Sequence, residues 1–367
     1  MIIVASYLIV YLSLVGAVVL GGFLLHLRKS NKQSNGNKIS ADEITVLIPF
    51  RNEVGRLDVL LESFVRASKL PRRIVFIDDH SDDHSCELIK SRLKEIPFEI
   101  LSLPDEVGGK KLALREGIKR CNTKYILTFD ADISFQPNYF GALENLNEAD
   151  MYVLPAVLKG ENLSELFYEL DVALANGLNT GLSGWSRPIF CSGANLLYQK
   201  EVFDEVDDFD SHAHMASGDD TYLLRDFRRN EKDVRVISDL DLAIHTETPH
   251  SFRAFIDQRL RWVGKTTDIG DSLATLAATG QFLLAVSFFV MLIYFGVGEY
   301  WEELIWLFTL KIGFDMFFFF PYFSRVRRLQ SWTFIPVYEL LFPLYSLLIG
   351  ILMFSYRPKW KGRSIQK

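Results

Sequence analysis

The strongest constraint on this fold is residues 2–26, IIVASYLIVYLSLVGAVVLGGFLLH, which hold no Asp, Glu, Lys or Arg. About 20 such residues span the hydrocarbon core of a bilayer. No basic stretch precedes the run, and it is longer than the apolar core of a cleaved leader, so the sequence predicts a retained membrane anchor over 1–27. Arg28, Lys29, Lys32 and Lys38 follow at once. Cationic residues flanking a span favour the cytoplasmic side, which predicts an outside N-terminus and a cytoplasmic domain after it. Residues 28–42 are polar and rich in Ser, Asn and Gly, and read as a linker.

The chain turns apolar again over 272–356. Stretches 274–297 and 304–323 are predicted membrane helices, joined by the acidic Gly298-Glu299-Tyr300-Trp301-Glu302-Glu303 and followed by Arg325, Arg327 and Arg328. Lys311 and Asp315 fall four apart on the second of these, where they can pair. A third stretch, 333–355, contains Pro336 and Pro343 and leads into a basic tail, 357–367, with Arg357, Lys359, Lys361 and Arg363. A full crossing would put that tail outside, against the charge rule. A kinked re-entrant or interfacial segment would keep both ends in the cytoplasm, and a cytoplasmic tail is the expectation.

Between the ends, residues 43–271 alternate strands and helices. Ile44–Pro49, Arg73–Asp79, Glu99–Leu103 and Tyr125–Asp130 read as strands; 54–67, 83–94 and 110–120 read as helices. That alternation predicts an α/β domain with a mainly parallel sheet. The net charge of −6 argues against a nucleic-acid partner. Cys86, Cys121 and Cys191 are too scattered for a zinc ribbon or a disulfide scaffold.

Two predicted strands end in carboxylates, Asp78-Asp79 and Asp130-Ala131-Asp132, and ligands of open α/β sheets bind beyond the carboxyl ends of strands. Carboxylates at i, i+2 suit a hard divalent cation such as Mg²⁺ or Mn²⁺, which keeps substrate phosphates in its shell. A bare acidic pair is also a common solvated turn. Further segments occur in order around it: Ile48-Pro49-Phe50-Arg51-Asn52-Glu53, Gly109-Lys110-Lys111, Ser217-Gly218-Asp219-Asp220 and Gln258-Arg259-Leu260-Arg261-Trp262. Together, over residues 44–264, they resemble the membrane-bound family 2 glycosyltransferases with their D, D, D, QxxRW signature.

The resemblance implies a GT-A fold, a nucleotide-diphosphate sugar donor (UDP-linked by preference), a divalent cation and transfer of a hexosyl or N-acetylhexosaminyl group with inversion. It assigns donor contacts to Pro49, Arg51, Glu53, Asp78 or Asp79, Lys110, Asp130, Gln258, Arg261 and Trp262, with Asp79 favoured at the base and Lys111 an alternative to Lys110. Asp132 becomes the metal ligand and His245 a second one, although a lone His is more often structural. Asp83 reads as a helix cap. Asp220 is the expected general base, since inversion needs a carboxylate to take the acceptor's proton. Asp219 stands where the family more often has Glu. Asp219 is the second catalytic candidate, its exact role left open by that departure, and a helix cap is the plainer job for Asp220.

A guanidinium at Arg261 suits a pyrophosphate leaving group, and Trp262 offers a flat wall or an interfacial anchor. Residues 163–198, with Trp185, Gly193, Ala194 and Asn195, are the expected acceptor side. His80, Asp82, Asp83 and His84 read as a solvated turn, and His212 and His214 as acceptor contacts rather than metal ligands. The expectation is a multi-pass protein of a bacterial inner membrane, acting on a lipid or lipid-linked acceptor in envelope glycan or glycolipid synthesis. The rivals are a processive polysaccharide synthase, for which a partner membrane subunit could complete a channel, and an inactive scaffold or sugar-binding regulator. The second is disfavoured because none of the expected acids is missing.

Overall fold

The structure, a computed structural model, describes residues 2–32, 36–212, 218–356, 359–360 and 363–364. His214 and Ser217 lie outside the described residues, as do the side chains of the basic tail. The chain divides into two compact units, one formed by Lys32–Leu158 and Phe190–Glu247, the other by Met1–Asn31, Lys159–Ile189 and Thr248–Gln366.

The first unit is built on ten strands: β1 (Ile44–Phe50), β2 (Arg73–Asp78), β3 (Glu99–Ser102), β4 (Tyr125–Phe129), β5 (Ile133–Phe135), β6 (Met151–Val153), β7 (Ala156–Lys159), β8 (Asn195–Gln199), β9 (Val234–Val236) and β10 (Ile244–Glu247). Seven form one sheet in the order β3-β2-β1-β4-β8-β6-β9, and β5-β10-β7 form a second. β1, β2, β3 and β4 run parallel, while β8 is antiparallel to both β4 and β6. β1 reads ITVLIPF and every residue of it is buried. A continuous apolar run of that kind is what a parallel strand covered on both faces requires. β3, at the sheet edge, is half polar and largely exposed.

The chain winds outward from β1 through β2 to β3 and then returns to β1's other side as β4. The strand order therefore reverses between β1 and β4, and the crevice at their carboxyl ends is the place where such sheets hold ligands. Phe64, Phe76, Phe129, Phe135, Tyr139 and Phe140 pack beneath it as one aromatic core. The far half of the expected linker is docked on this unit. Ile39 N–H donates to the Leu146 carbonyl at 3.1 Å, Glu148 N–H donates to Asn37 at 2.8 Å, and Ile39 and Ala41 are buried.

The second unit is helical. Among the described residues, four of its segments are long and apolar enough to cross a membrane: Ile2–Lys29, Ser272–Val297, Trp301–Arg325 and Ile335–Ser355. The last is the stretch interrupted in sequence by two prolines. It is one helix of 21 residues, with Pro336 in its first turn, where a missing N–H costs nothing, and Pro343 inside it. The helix Leu163–Trp185 also belongs to this unit. Its Gly184 meets the N-terminal helix so closely that a Cβ there would lie 1.8 Å from the Gly22 carbonyl oxygen. The Trp185 indole donates to the Ala17 carbonyl at 2.8 Å, so this residue is tied to the membrane segment.

Lys311 and Asp315 pair at 2.8 Å as their spacing predicts. Two partners distant in sequence complete the group: Glu339, which also accepts from Lys311, and Tyr11, whose hydroxyl donates to Asp315. Near the helix ends, Glu169 accepts from Arg328 and Ser331.

Candidate active site

Three turns at the β1, β2 and β4 ends carry the acids of the first unit. After β1, Asn52 sits at φ 53° and is locked in place: its N–H donates to Ser81 Oγ at 3.1 Å and its Oδ1 accepts from Asp82 N–H at 2.9 Å. Glu53, buried, receives the same support from Ser85, whose Oγ accepts the Glu53 N–H at 2.9 Å. Pro49 lies buried in β1 opposite Ile77.

After β2 the two carboxylates part company. Asp78 Oδ1 accepts from Ser81 N–H at 2.9 Å, which holds the turn. Asp79 is buried, lies 3.9 Å from Arg51, and keeps its Oδ1 buried with no hydrogen-bond donor among the described residues. A buried acceptor without a donor is costly, so this oxygen suits an N–H brought by a ligand. Asp83 precedes His84, which holds the cap position of the helix Ser85–Arg92, and accepts from Ser85 N–H at 2.9 Å and Val54 N–H at 3.1 Å.

After β4, each acid of the Asp130-Ala131-Asp132 pair has a cation. Lys110 Nζ meets Asp130 at 2.5 Å, and Arg56 meets Asp132 at 2.8 Å and Glu53 at 2.6 Å. Burial alone would lower the Lys110 pKa, but Asp130, Asp219 and Asp220 outweigh it and hold the ammonium well above its ordinary value. That one lysine therefore feels both the strand-end acids and the pair at the start of the helix Asp219–Arg229. Burial and the like charge of Asp130 push the Asp132 carboxyl up.

The helix Asp219–Arg229 starts on Gly218, whose φ of 99° a side chain would strain. Asp220 Oδ2 accepts from Gly193 N–H at 3.0 Å, and Oδ1 accepts from Thr221 N–H at 2.8 Å. Asp220 thus braces the helix start while lining, with Asp219, Gly193, Lys111 and His212, a small cavity of about 50 Å³. Lys111 Nζ donates to the His212 carbonyl at 2.5 Å and contacts its Nδ1. Burial lowers the Lys111 pKa to about 8.

Asn195 is not an acceptor contact. It is fully buried, donates to the Pro155 and Leu242 carbonyls at 2.8 and 2.9 Å, and accepts from Tyr139 at 2.5 Å, which leaves nothing to offer a substrate. His245 sits on β10 opposite Ser134. Ser134 lies in β5, which begins one residue after Asp132.

Oxygen donors dominate around Asp132, and its side chain is 27% exposed. That donor set and access fit a hard divalent cation. Asp207, His212 and Asp226 form another group with ligand atoms within 4.8 Å of one another. Lys111 and Arg225 already face its charges. Arg56 went unmarked in the sequence; its one signal is the i, i+3 spacing from Glu53.

In the helical unit, Gln258, Arg261 and Trp262 lie on the helix Phe252–Asp268, with Trp262 exposed. Between them Arg259 is buried, pairs with Asp171 at 2.7 Å and lies over the Trp262 ring at 4.4 Å, while Asp171 also accepts from Tyr338 at 2.7 Å. This support was not visible in the motif, where Arg259 is a variable position.

Comparison with known proteins agrees with this layout. Residues 45–207 match the family model "Glycosyl transferase family 2". An undecaprenyl-phosphate 4-deoxy-4-formamido-L-arabinose transferase of Yersinia enterocolitica is 25% identical over 199 residues, 53% of this chain and 59% of the relative. A poly-beta-1,6-N-acetyl-D-glucosamine synthase of Staphylococcus aureus is 30% identical over 102 residues, 28% of this chain and 24% of the relative. The matches thus span well under two thirds of these relatives' own lengths. Among solved structures, a mannosyltransferase from Pyrobaculum calidifontis in complex with GDP-Man and Mn²⁺ superposes with a TM-score of 0.56 at 14% identity, covering 93% of this chain and 97% of that one.

Proposed function

We propose, from the premise that this chain is a family 2 glycosyltransferase of GT-A fold with membrane-capable helices, that it transfers one sugar from a nucleotide-diphosphate donor to a lipid-phosphate or lipid-linked acceptor. The observation that carries this reading is Lys110 paired with Asp130 at 2.5 Å at the crevice where the strand order reverses, its ammonium held up by Asp219 and Asp220 as well. The donor base is assigned to Asp79, whose buried Oδ1 suits a base N–H, with Arg51 and Glu53 beside it. Lys110 and Asp130 take the ribose and diphosphate side. Asp132, with His245 paired to Ser134 of the strand that follows it, is assigned the divalent cation, which when bound would offset the diphosphate's charge.

Asp220 takes the acceptor's proton as the new glycosidic bond forms and the nucleoside diphosphate leaves. Its oxygens already accept two backbone N–H groups, which fixes their direction. Arg261 is assigned to the leaving diphosphate on the chemistry of its guanidinium. Gln258 and Trp262 are assigned to the donor with it. The lipid acceptor is supported by the name of the Yersinia relative and by the four apolar helices.

The charges around those helices support a cytoplasmic site. With four crossings, the catalytic unit and the loop after Arg325 share one side, and both are flanked by Arg and Lys, while the turn between the middle spans carries Glu299, Glu302 and Glu303. On the same count the basic tail would lie with the N-terminus on the opposite side, against the charge rule, and cysteine labelling at that tail in intact cells tests it.

The deciding experiment is turnover of a panel of UDP-, GDP- and CDP-sugars by the purified protein in lipid, with polyprenyl phosphate as acceptor and mass analysis of the product. One added sugar is expected. A long polymer would favour a synthase resembling the Staphylococcus relative, and no transfer from any donor would overturn the reading.

A further inference from the structure

Arg56 belongs to no motif, yet it is the cation that meets Asp132. One arm of its guanidinium, Nη1, reaches Asp132 Oδ2 at 2.8 Å; the other, Nη2, reaches Glu53 Oε2 at 2.6 Å. The two anchors differ in kind. The Glu53 side chain is 7% exposed and is set by the turn after β1, whereas Asp132 is 27% exposed and Arg56 itself 44%. The Glu53 contact is therefore sheltered and the Asp132 contact open to water.

The charge balance around the pair gives the exchange a direction. Glu53, Asp130 and Asp132 face Lys110 and Arg56, and Asp219 and Asp220 act on Lys110 and Glu247 on Arg56 as well, so carboxylates outnumber cations and favour an added cation. A cation already sits on each member of the acidic pair, so a metal ion reaching Asp132 must compete with the guanidinium of Arg56. A water-exposed ion pair is weak, so a divalent cation, with twice the charge and shorter bonds to oxygen, can displace one arm of the guanidinium. The other arm remains on Glu53, so Arg56 need not leave the site.

We propose that Arg56 is a built-in counter-cation that occupies Asp132 in the metal-free protein, so that divalent-cation binding requires its release and Arg56 sets the cation affinity of the site. The inference rests on the reading of Asp132 as a metal ligand. It implies weaker cation binding by the ligand-free protein than the same acids would give without Arg56.

The test is Mn²⁺ binding to the full-length purified protein without any nucleotide, read from the free-Mn²⁺ electron paramagnetic resonance signal. Arg56→Met should tighten Mn²⁺ binding by about three- to tenfold, because it removes a unit positive charge beside the ion at a solvated site. Arg56→Gln should do the same, which guards against a folding defect of one variant, and Arg56→Lys should lie between these variants and the wild type. Asp132→Asn should abolish the gain when combined with Arg56→Met. Unchanged or weaker Mn²⁺ binding in both uncharged variants, with Asp132→Asn still costing affinity, would overturn the role of Arg56 and leave the metal site standing. Binding indifferent to Asp132→Asn would remove the metal reading, and the inference with it.

Discussion

Lys311 and Arg56 each bridge two carboxylates, but in opposite surroundings. Lys311 lies in the helical unit with its side chain 6% exposed, held by Asp315 and Glu339, which are 2% and 9% exposed. Tyr11 fills a further position on Asp315. Arg56 lies at the sheet edge, 44% exposed, on one sheltered and one open carboxylate. The same chemistry is permanent in the first case and exchangeable in the second. Removing a buried partner strands charge where water cannot reach it; removing an exposed one lets water or another ion take its place.

The largest expected effect breaks the closed cluster. Lys311→Met should destabilise the protein by about 3–5 kcal/mol, the cost of an uncompensated buried charge. Arg56→Met should cost at most about 1 kcal/mol. Thermal melts of both in one detergent check the contrast, and equal losses would show that burial does not separate the two bridges.

Next comes Asp220→Asn. Asparagine keeps one acceptor oxygen, so either Gly193 N–H or Thr221 N–H loses its partner, and about 1 kcal/mol of stability should go with it. Turnover per folded molecule should fall at least about 10²-fold, with donor affinity changed less than about threefold. Loss of stability with turnover retained would leave Asp220 a brace alone and move the base to Asp219.

What the sequence conveyed was local. Strand-end acids announce themselves because β1, β2 and β4 are short apolar runs with carboxylates directly after them, and parallel strands bring those ends to one edge. The spans announce themselves by length, and Lys311–Asp315 by helical spacing. Partners across long separations were not legible. Glu339 and Tyr11 complete the membrane cluster from 28 and 304 residues away. Asn195 looked like an exposed polar residue of a substrate wall, yet it sits in β8 opposite Phe129, facing carbonyls that only the folded sheet supplies. Arg56 lay outside every motif because its partner Asp132 is 76 residues further on. The prolines of 333–355 were read as interruptions, whereas Pro336 sits in the first turn of a continuous helix and Pro343 inside it.

A smaller effect sharpens the picture of the first unit. Burial, with Lys111 and Arg225 nearby, lowers the His212 pKa to about 4 from an ordinary 6.5. The unfolded chain therefore takes up a proton before the folded one does. His212 contributes stability that is fully present above pH 6.5 and lost as pH falls through 4. His212→Asn should flatten that part of the melting temperature's pH dependence, and an unchanged slope would place its cause elsewhere.

The most direct test of the account asks whether the open acids at the sheet edge are the donor site. Equilibrium binding of UDP, GDP and CDP to the wild type and to Asp132→Asn, each with Mn²⁺ and with EDTA, measures this without an acceptor. The account predicts that one of these nucleotides binds more tightly with Mn²⁺, and that Asp132→Asn erases the difference while the fold persists. Equal binding in EDTA and Mn²⁺, or a full Mn²⁺ dependence surviving in Asp132→Asn, would contradict it.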